Sequence, residues 1–519
     1  MRYSRLIKSS THCSASPDGQ LIATLEGSSI RIRSVKTLRS LNVSKLPPEL
    51  SSPIIHFIWS PSSTRILAAS ADHVAVLSVI DSVCHASIAN PLAGQGKPSY
   101  IQFGRSDSEL ILFAPFGLKV LLFNLSTSKA VEIPSPKFHL PGAVKRGFSM
   151  RTRSGHLALL TRSAGKDVVS IHHPDTRQLE RSWYPATLDA QAVAWSPDGS
   201  WLLLWDSPAQ GRRVLLYTPD GQLFRNLGGA DKEDDEASML SLGIKLCRFS
   251  PDSRLCAFCD HTRKVTVLRT SVWREELTLV HPVTIVPSDT LQVWQEQRQN
   301  FAGSPSFDSC FVRASQDVAP PVASEDTKST TELKVGCSVA SFDSSGTLLA
   351  TKLDENPGTV WVWDLPAGEL RAVLMFHSPA DVVWHPSVRE LLLITCSVEQ
   401  VNLHFYWDPL SNGPGFVNFQ EQLVDAKVSG KLQANWIDSK DDDPRLLLTD
   451  RQHLCLLSLS GTDNEAASWE EDTESFLRGD SSARQPLSSI RGRIDSIRDS
   501  ITLEDEGSLL EDTFSFKRN

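Results

Sequence analysis

Ser16-Pro17-Asp18-Gly19 is a tetrapeptide that returns unchanged at Ser196-Pro197-Asp198-Gly199, and looser copies stand between and beyond the two. Proline at the second position presets φ and glycine at the fourth suits a type I turn, so each copy has the chemistry of a tight turn. Successive copies are spaced by 44, 44, 48, 44, 54, 93 and 42 residues. The copies begin at Ser16, Ser60, Gly104, Thr152, Ser196, Ser250, Asp343 and His385. The chain is therefore a structural repeat with one long interruption.

Each turn lies between two short apolar segments, and most units add a third, such as Val214 to Tyr217. Alternation with β-branched and aromatic residues predicts strands rather than helices. Three or four short strands in roughly 40 to 45 residues make one blade of a β-propeller. A degenerate ninth unit is indicated by Leu432 to Trp436, an acidic turn, and strands within Leu446 to Leu457. We predict an all-β WD40-type β-propeller, with nine candidate units in one ring of seven to nine blades.

Tryptophan-aspartate dipeptides support this prediction. Trp363-Asp364 and Trp407-Asp408 each follow a strand at the end of a unit. Trp205-Asp206 is a weaker case, because it falls at the end of a second strand rather than a third. The dipeptide at the end of a blade is typical of WD repeats.

The bulk composition indicates a soluble globular protein, with 40% apolar and 22% charged residues. No apolar run is as long as a membrane span, and Met1 to Cys13 lacks the apolar core of a signal peptide. The nine cysteines are scattered, which favours buried free thiols in a reducing compartment. We therefore expect an intracellular, cytoplasmic protein without a membrane partner.

Charge is concentrated at the end of the sequence. The net charge is −9, and the segment from Asp463 onward contributes fourteen acidic and seven basic residues, or −7. The remaining −2 leaves the body nearly neutral, which argues against nonspecific nucleic-acid binding and leaves a local basic face open. Arg151, Arg153 and Arg162 cluster in one unit, and we interpret them as solvated residues at a blade edge.

Composition also predicts the domain boundaries. We assign residues 1–460 to the propeller and residues 461–519 to an acidic, largely disordered tail. The 93-residue interval begins with strand-like segments, but about 299–331 is rich in Ser, Asp, Pro and Ala, and we predict a disordered insertion there. The acidic stretch Asp231 to Glu236 is either a solvated loop or a charged docking site.

The tail contains one periodic segment. Its apolar residues recur at spacings of 3, 4, 3 and 4, which would place them on one side of a helix over about 487–503. Such a short helix is marginal alone. It could fold on a partner, pack on its own propeller, or be disordered with a fortuitous spacing. The candidate partner-binding residues are Leu487, Ile490, Ile494, Ile497 and Ile501.

No motif in the sequence indicates an enzyme, a cofactor or a metal site. Cys256-x-x-Cys259-x-His261 could be half a metal site, but no second ligand pair follows, and a strand sends its two cysteines to opposite faces. Gly94 to Ser99 departs from a phosphate-binding loop, because Pro98 stands where Ser or Thr should follow the lysine. We predict a noncatalytic protein, although a propeller enzyme assembling its site from separate blades stays open.

An ordered set of segments resembles the WD repeat-containing protein 8 family, and the order and spacing of the likeness hold from about Ser10 to Leu459. No single segment is unique to that family, and the order and spacing of the set carry the resemblance. The segments are Lys166 to Ile171, Ala194 to Gly199, Val214 to Tyr217, Ser241 to Lys245, Phe249 to Ser253, Lys264-Val265, Trp273, His281-Pro282, Leu349 to Thr351 and Asn356 to Asp364.

The resemblance implies a scaffold at microtubule-organising centres, which are the centrosome of animals and the spindle pole body of fungi. It implies a coiled-coil spindle-anchoring partner, a minus-end-directed kinesin in fungi, gamma-tubulin complex components, and a role in the mitotic spindle. The insertion and the tail depart from the animal pattern, which suggests a fungal member.

Three other functions stay open. Substrate receptors of cullin ubiquitin ligases often carry Trp-Asp-x-Arg, but Leu365-Pro366 follow Trp363-Asp364 here. A ribosome-associated propeller factor is disfavoured by the nearly neutral body. A propeller hydrolase would hold a metal or a ligand in its central channel.

Overall fold

The structure is a computed structural model, and it describes residues 1–81, 84–90, 98–138, 145–227, 242–299, 308–323, 335–398, 401–419, 430–438 and 443–460. These residues form strands joined by turns, with two single-turn 3-10 segments at Pro115–Gly117 and Pro208–Gln210. No helix among them has the length and apolar character needed to cross a lipid bilayer.

The strands are numbered in chain order. The first fourteen are β1 (Arg2–Tyr3), β2 (Ile7–Lys8), β3 (Cys13–Ala15), β4 (Leu21–Glu26), β5 (Ser29–Ser34), β6 (Ser40–Lys45), β7 (His56–Trp59), β8 (Arg65–Ala69), β9 (His73–Ser78), β10 (Cys84–Ala89), β11 (Tyr100–Phe103), β12 (Glu109–Phe113), β13 (Lys119–Asn124) and β14 (Lys129–Pro134). The next twelve are β15 (Phe148–Met150), β16 (Leu157–Ser163), β17 (Lys166–His172), β18 (Leu179–Trp183), β19 (Ala190–Trp195), β20 (Leu202–Asp206), β21 (Val214–Tyr217), β22 (Leu223–Asn226), β23 (Ile244–Phe249), β24 (Leu255–Asp260), β25 (Lys264–Arg269) and β26 (Arg274–Val280). The last thirteen are β27 (Gln292–Gln299), β28 (Asp308–Arg313), β29 (Cys337–Phe342), β30 (Leu348–Leu353), β31 (Thr359–Asp364), β32 (Glu369–Met375), β33 (Ala380–Trp384), β34 (Leu392–Val398), β35 (Val401–Trp407), β36 (Gly415–Phe416), β37 (Gln433–Ile437), β38 (Arg445–Thr449) and β39 (His453–Ser458).

These strands form nine sheets, so the prediction of a β-propeller built from nine units is confirmed. Blades 1 to 6 are the sheets β3–β6, β7–β10, β11–β14, β15–β18, β19–β22 and β23–β26, each with its strands paired in sequence order. Blade 7 contains β29–β32, blade 8 contains β33–β36, and blade 9 contains β37–β39. Trp205-Asp206 lies at the end of a second strand, as predicted.

The ring is closed by strands from opposite parts of the chain. In blade 9 the third strand, β39, pairs with β1 and β2, through registers that include Tyr3↔Leu457 and Ile7↔Leu454. The backbone N–H of Ser4 donates to the carbonyl of Leu456 at 2.8 Å. Residues 2–8 therefore supply the outer strand that blade 9 lacks. No periodic pattern in this segment predicted that pairing.

Nine hydrophobic clusters hold the blades together, one for each pair of neighbours around the ring. The cluster between blades 9 and 1 joins Ile437, Leu447 and Leu456 to Ile22 and Leu38. Because every blade buries both faces against its neighbours, the ring has no unpaired end among the described residues. This explains why β12 and β21 are buried at every position, whereas other strands keep the alternation seen in the sequence.

The repeated turn owes its shape to its serine and aspartate. Ser16 Oγ donates to Asp18 Oδ1 at 2.5 Å and accepts the backbone N–H of Leu21 at 2.9 Å. Ser196 makes the same two bonds, at 2.5 and 3.0 Å. Gly19 has φ +67°, a left-handed conformation that glycine adopts without strain. The predicted turn therefore connects the first two strands of a blade, and its serine and aspartate hold it through hydrogen bonds that the prediction from proline and glycine did not include.

Part of the interval predicted to be a disordered insertion is ordered, so that prediction is wrong for residues 308–323. β28 within this stretch pairs antiparallel with β27, and β27 pairs parallel with β32, which widens blade 7 to six strands. Phe311 of β28 packs against Phe376 and Phe405, with ring centroids 5.4 Å apart in both pairs. The outer strand of blade 8 has only two residues, and Phe311 of this hairpin packs against Phe405 in the strand next to it.

Candidate functional site

The propeller has two faces with different chemistry. Because consecutive strands of a blade are antiparallel, the first-to-second and third-to-fourth turns lie at one end, here called the turn face. The second-to-third hairpins and the connections between blades lie at the other end, here called the hairpin face. Each face can hold a different partner, since the blades separate them.

The turn face is tied together by hydrogen bonds between neighbouring turns. The backbone N–H of Asp18 donates to Ser63 Oγ at 3.1 Å, and that of Asp198 donates to Ser253 Oγ at 2.8 Å. Arg151 Nε donates to the carbonyl of Gly199 at 2.7 Å. These bonds link blades 1 to 2, 4 to 5 and 5 to 6, so the turn face is a connected rim rather than a set of separate loops.

The three clustered arginines do not form one site. Arg151 lies on the turn face, with its guanidinium 5.2 Å from the ring centroid of Trp195. Arg162 lies at the hairpin end of its strand, where its Nη1 is 3.3 Å from Asp189 Oδ1. Arg153 is exposed. The arrangement does not make a basic surface for nucleic acid in blade 4.

A buried polar network holds blade 7, whose third strand ends in Trp363-Asp364, against the connection from blade 6. His281 Nδ1 donates to the carbonyl of Arg263 at 2.8 Å, and its Nε2 accepts from Thr351 Oγ1 at 2.8 Å. Trp363 Nε1 donates to the same hydroxyl at 2.9 Å. Burial lowers the pKa of His281 to about 4, so the imidazole is neutral at pH 7. The network is shut off from solvent, with His281 at 1% and Thr351 at 0% exposure, and it is structural in character.

The hairpin face carries large apolar side chains that are exposed among the described residues. Phe116 and Leu118 in the hairpin of blade 3 are 85% and 60% exposed, and Tyr184 and Leu188 between blades 4 and 5 are 68% and 61% exposed. Phe116 also has φ +58°, a left-handed conformation that costs a bulky residue about 1 kcal/mol. Exposed apolar residues grouped on one face are typical of protein interaction sites. We call these four residues the hairpin-face surface.

Sequence reasoning did not single out this surface, although a signal for it was present. Ala114 to Leu118 is an apolar run placed in a connection between strands, where polar residues are usual. Such a run is unexpected in a turn unless another molecule covers it.

Cys256 and Cys259 point to opposite faces of β24, as the sequence predicted. Cys256 packs in the cluster shared with blade 5, and Cys259 packs in the cluster shared with blade 7. Burial raises the pKa of both thiols, which disfavours the thiolate that a metal would need. Among the described residues, no three or more His, Cys, Asp or Glu side chains are grouped to hold a metal ion.

Several predicted features lie outside the described residues. They are Leu487, Ile490, Ile494, Ile497 and Ile501 of the tail, the acidic stretch 231–236, and most of the stretch 94–99. Their predictions stay predictions.

The architecture is a nine-bladed ring with an apolar cluster between each pair of neighbouring blades and a buried His-Thr-Trp network. No family model matches the chain. WD repeat-containing protein WRAP73 of Mus musculus is 26% identical over 481 residues, which cover 88% of this chain and 96% of that protein. An uncharacterised WD repeat-containing protein of Schizosaccharomyces pombe is 23% identical over 401 residues, covering 75% of this chain and 77% of that protein. The chain is thus similar to WD repeat-containing proteins over most of its length.

Solved structures that resemble the chain include the Dos1 propeller, at 11% identity, with 88% of this chain and 94% of that chain covered and a TM-score of 0.45. Dihydro-heme d1 dehydrogenase NirN is 9% identical, with 79% and 77% covered and a TM-score of 0.46. Both scores are too low to carry an argument about function. The WD-repeat relatives and the closed ring are consistent with a noncatalytic adaptor.

Proposed function

We propose that this WD-repeat protein is a noncatalytic scaffold of the microtubule-organising centre and a member of the WD repeat-containing protein 8 family. The observation that carries the proposal is the ordered set of family-like segments. The quoted segments lie in blades 4 to 7, and their order and spacing fit a likeness that extends from about Ser10 to Leu459 rather than being confined to one repeat. In this role the protein helps to anchor microtubule minus ends and to organise the spindle through a coiled-coil partner.

The hairpin-face surface is the part of the ring best suited to that partner. A coiled-coil protein presents rows of apolar side chains along its helices, and exposed aromatic and aliphatic residues give such a row a surface to cover. Phe116 and Leu188 are the central candidates, because each is large and mostly solvent-exposed in the free chain. The ring holds these residues in fixed positions, so little ordering is needed when the partner binds.

The periodic segment of the tail adds a second, weaker attachment in this proposal. Two modest contacts on one partner raise avidity by a factor of 10² or more when both can engage together, as an approximate guide. Leu487, Ile490, Ile494, Ile497 and Ile501 would supply the apolar side of that contact.

Affinity capture of the full chain, followed by mass spectrometry, tests the proposal first. We expect a coiled-coil protein of the spindle pole and colocalisation with gamma-tubulin. Recovery of cullin adaptors or ribosomal proteins in its place would contradict the proposal.

The recovered partner then serves as the binding probe. Phe116→Ser combined with Leu188→Ser should weaken binding by about tenfold or more, as expected for truncated apolar anchors. Leu410→Ser is the matched control, because Leu410 is 92% exposed on the turn face. Deleting Leu487 to Asn519 should weaken binding further, and unchanged affinity would remove the tail from the mechanism.

A further inference from the structure

One position near the channel carries a large side chain in every blade but the first. We call it the wedge position, and it is the last or next-to-last residue of each first strand. Blades 2 to 9 place there Trp59, Phe103, Met150, Trp195, Phe249, Phe342, Trp384 and Trp436. Blade 1 has Ala15. The register confirms the match, because Ala15 pairs with Ile22 as Trp59 pairs with Ile66.

Three of the wedge tryptophans make the same hydrogen bond to the preceding blade. Trp59 Nε1 donates to the carbonyl of Ser14 at 3.1 Å, and Trp384 Nε1 donates to that of Ser341 at 2.8 Å. Trp436 Nε1 donates to the carbonyl of Val383 at 3.0 Å. Each acceptor directly precedes the wedge residue of its own blade. Asn435 directly precedes Trp436, the wedge residue of blade 9. An indole at the wedge position of blade 1 would therefore donate to the carbonyl of Asn435.

A cavity lies where that indole would be. It has a volume of about 470 Å³, is open to solvent on one side, and lies among the first strands of blades 9, 1 and 2. Ala15 and Asn435 both line it, together with the rings of Phe57, Trp59 and Trp436. The volume is far larger than the roughly 30 Å³ that one water molecule occupies, and it is lined mainly by apolar and aromatic groups. The cavity is suited to an aromatic side chain.

The segment that follows blade 9 contains a tryptophan that is close enough in sequence to reach this cavity. β39 ends on the turn face, where Ser458 Oγ donates to Asp443 Oδ1 at 2.7 Å, and Asp443 belongs to the same turn as Asp438 of the cavity. Trp469 is nine residues beyond Ser460 and is the one tryptophan of the 13 that follows blade 9. Nine extended residues span roughly 30 Å. The first strand is only about 10 Å from the third in a sheet.

We propose that the side chain of Trp469 enters this cavity, fills the wedge position that Ala15 leaves open, and donates its indole N–H to Asn435. The tail would then be fastened to the turn face of its own propeller, close to where it leaves blade 9. The segment from Leu487 onward would start from that anchor rather than from Ser460. This inference does not rest on the proposed function, since it concerns a contact within one chain.

Hydrogen exchange of the full-length protein, read by mass spectrometry over residues 462–475, tests the contact. We expect protection in the natural chain, and on the order of tenfold faster exchange in Trp469→Ala. Ala15→Trp fills the cavity from within and should free the tail equally, although the tail sequence is unchanged. Phe476→Ala is the matched control and should leave the protection intact.

Two results would overturn the proposal. One is exchange over 462–475 at the rate of an unstructured peptide in the natural chain, including the case where protection arises only when a partner is added. The other is protection that neither Trp469→Ala nor Ala15→Trp reduces. Because Trp469→Ala lies beyond the folded blades, it keeps the test decisive even if Ala15→Trp fails to fold.

Discussion

Acidification should destabilise the propeller through His281, and the size of the effect follows from its pKa. The folded pKa is about 4, against 6.5 for an unperturbed histidine, because burial disfavours the charged ring. Between these two values the unfolded chain binds the proton more tightly than the folded one. Stability from this group is therefore full above pH 6.5 and is lost as the pH falls toward 4. Linkage gives a loss of about 2 kcal/mol between pH 7 and pH 4.5.

The matching assay is urea unfolding followed by tryptophan fluorescence, since the rings of Trp361 and Trp363 lie 5.0 and 5.3 Å from the His281 ring. His281→Gln should lower the unfolding free energy by about 1–3 kcal/mol at pH 7, because it disrupts buried hydrogen bonds. At pH 4.5 the difference between the two proteins should shrink by about 2 kcal/mol. His377→Gln, at an exposed site, is the control. A difference that stays the same at both pH values would refute the reasoning.

Two further predictions concern the packing of the ring and its closure. Trp384→Phe keeps most of the ring but removes the N–H that donates to Ser341, so we expect a loss of about 1 kcal/mol, against about 3–5 kcal/mol for Trp384→Ala. Equal losses in urea unfolding would contradict the wedge role. Deleting residues 1–9 removes β1 and β2 and exposes β39 as a sheet edge, so we expect a lower melting temperature and self-association in light scattering. A monomer with an unchanged melting temperature would contradict closure by these strands.

The nine blades were predictable because each turn is specified locally. The serine of the motif bonds the aspartate two residues ahead and the backbone five residues ahead, as at Ser16 and Ser196. A pattern confined to six residues needs no knowledge of the rest of the fold. The degenerate ninth unit lacks the motif and is predicted from its strands and an acidic turn.

Pairing between distant segments was not predictable in the same way. β28 is a strand because β27 lies beside it, and β27 is held in turn by β32, which follows about seventy residues later. The composition of 299–331 contains no trace of that arrangement. The two-residue strands β1 and β2 are too short for any periodicity, and their partner is at the other side of the sequence.

The candidate sites could be predicted from the sequence only in part. Once the turns align the blades, Ala15 is visibly out of line with Trp59, Trp195 and Trp384 in the sequence itself. What the alignment does not reveal is that a cavity remains there, since a neighbouring side chain could have filled the space. The exposure of Phe116 is likewise a property of the assembled hairpin and not of the residue type.

Closure of the ring by β1 and β39 has a consequence for how the protein is made. The residues they join, Arg2 and Ser458, are among the first and the last of the propeller to leave the ribosome. At ordinary elongation rates of about 5–20 residues per second, the wait between them is roughly 20 to 90 seconds. Throughout that time blade 1 has an apolar flank without its partner, including Ile22 and Leu38. The nascent propeller is therefore an open ring with an exposed apolar surface on blade 1. Its yield should depend on chaperones that cover this surface until blade 9 has been synthesised.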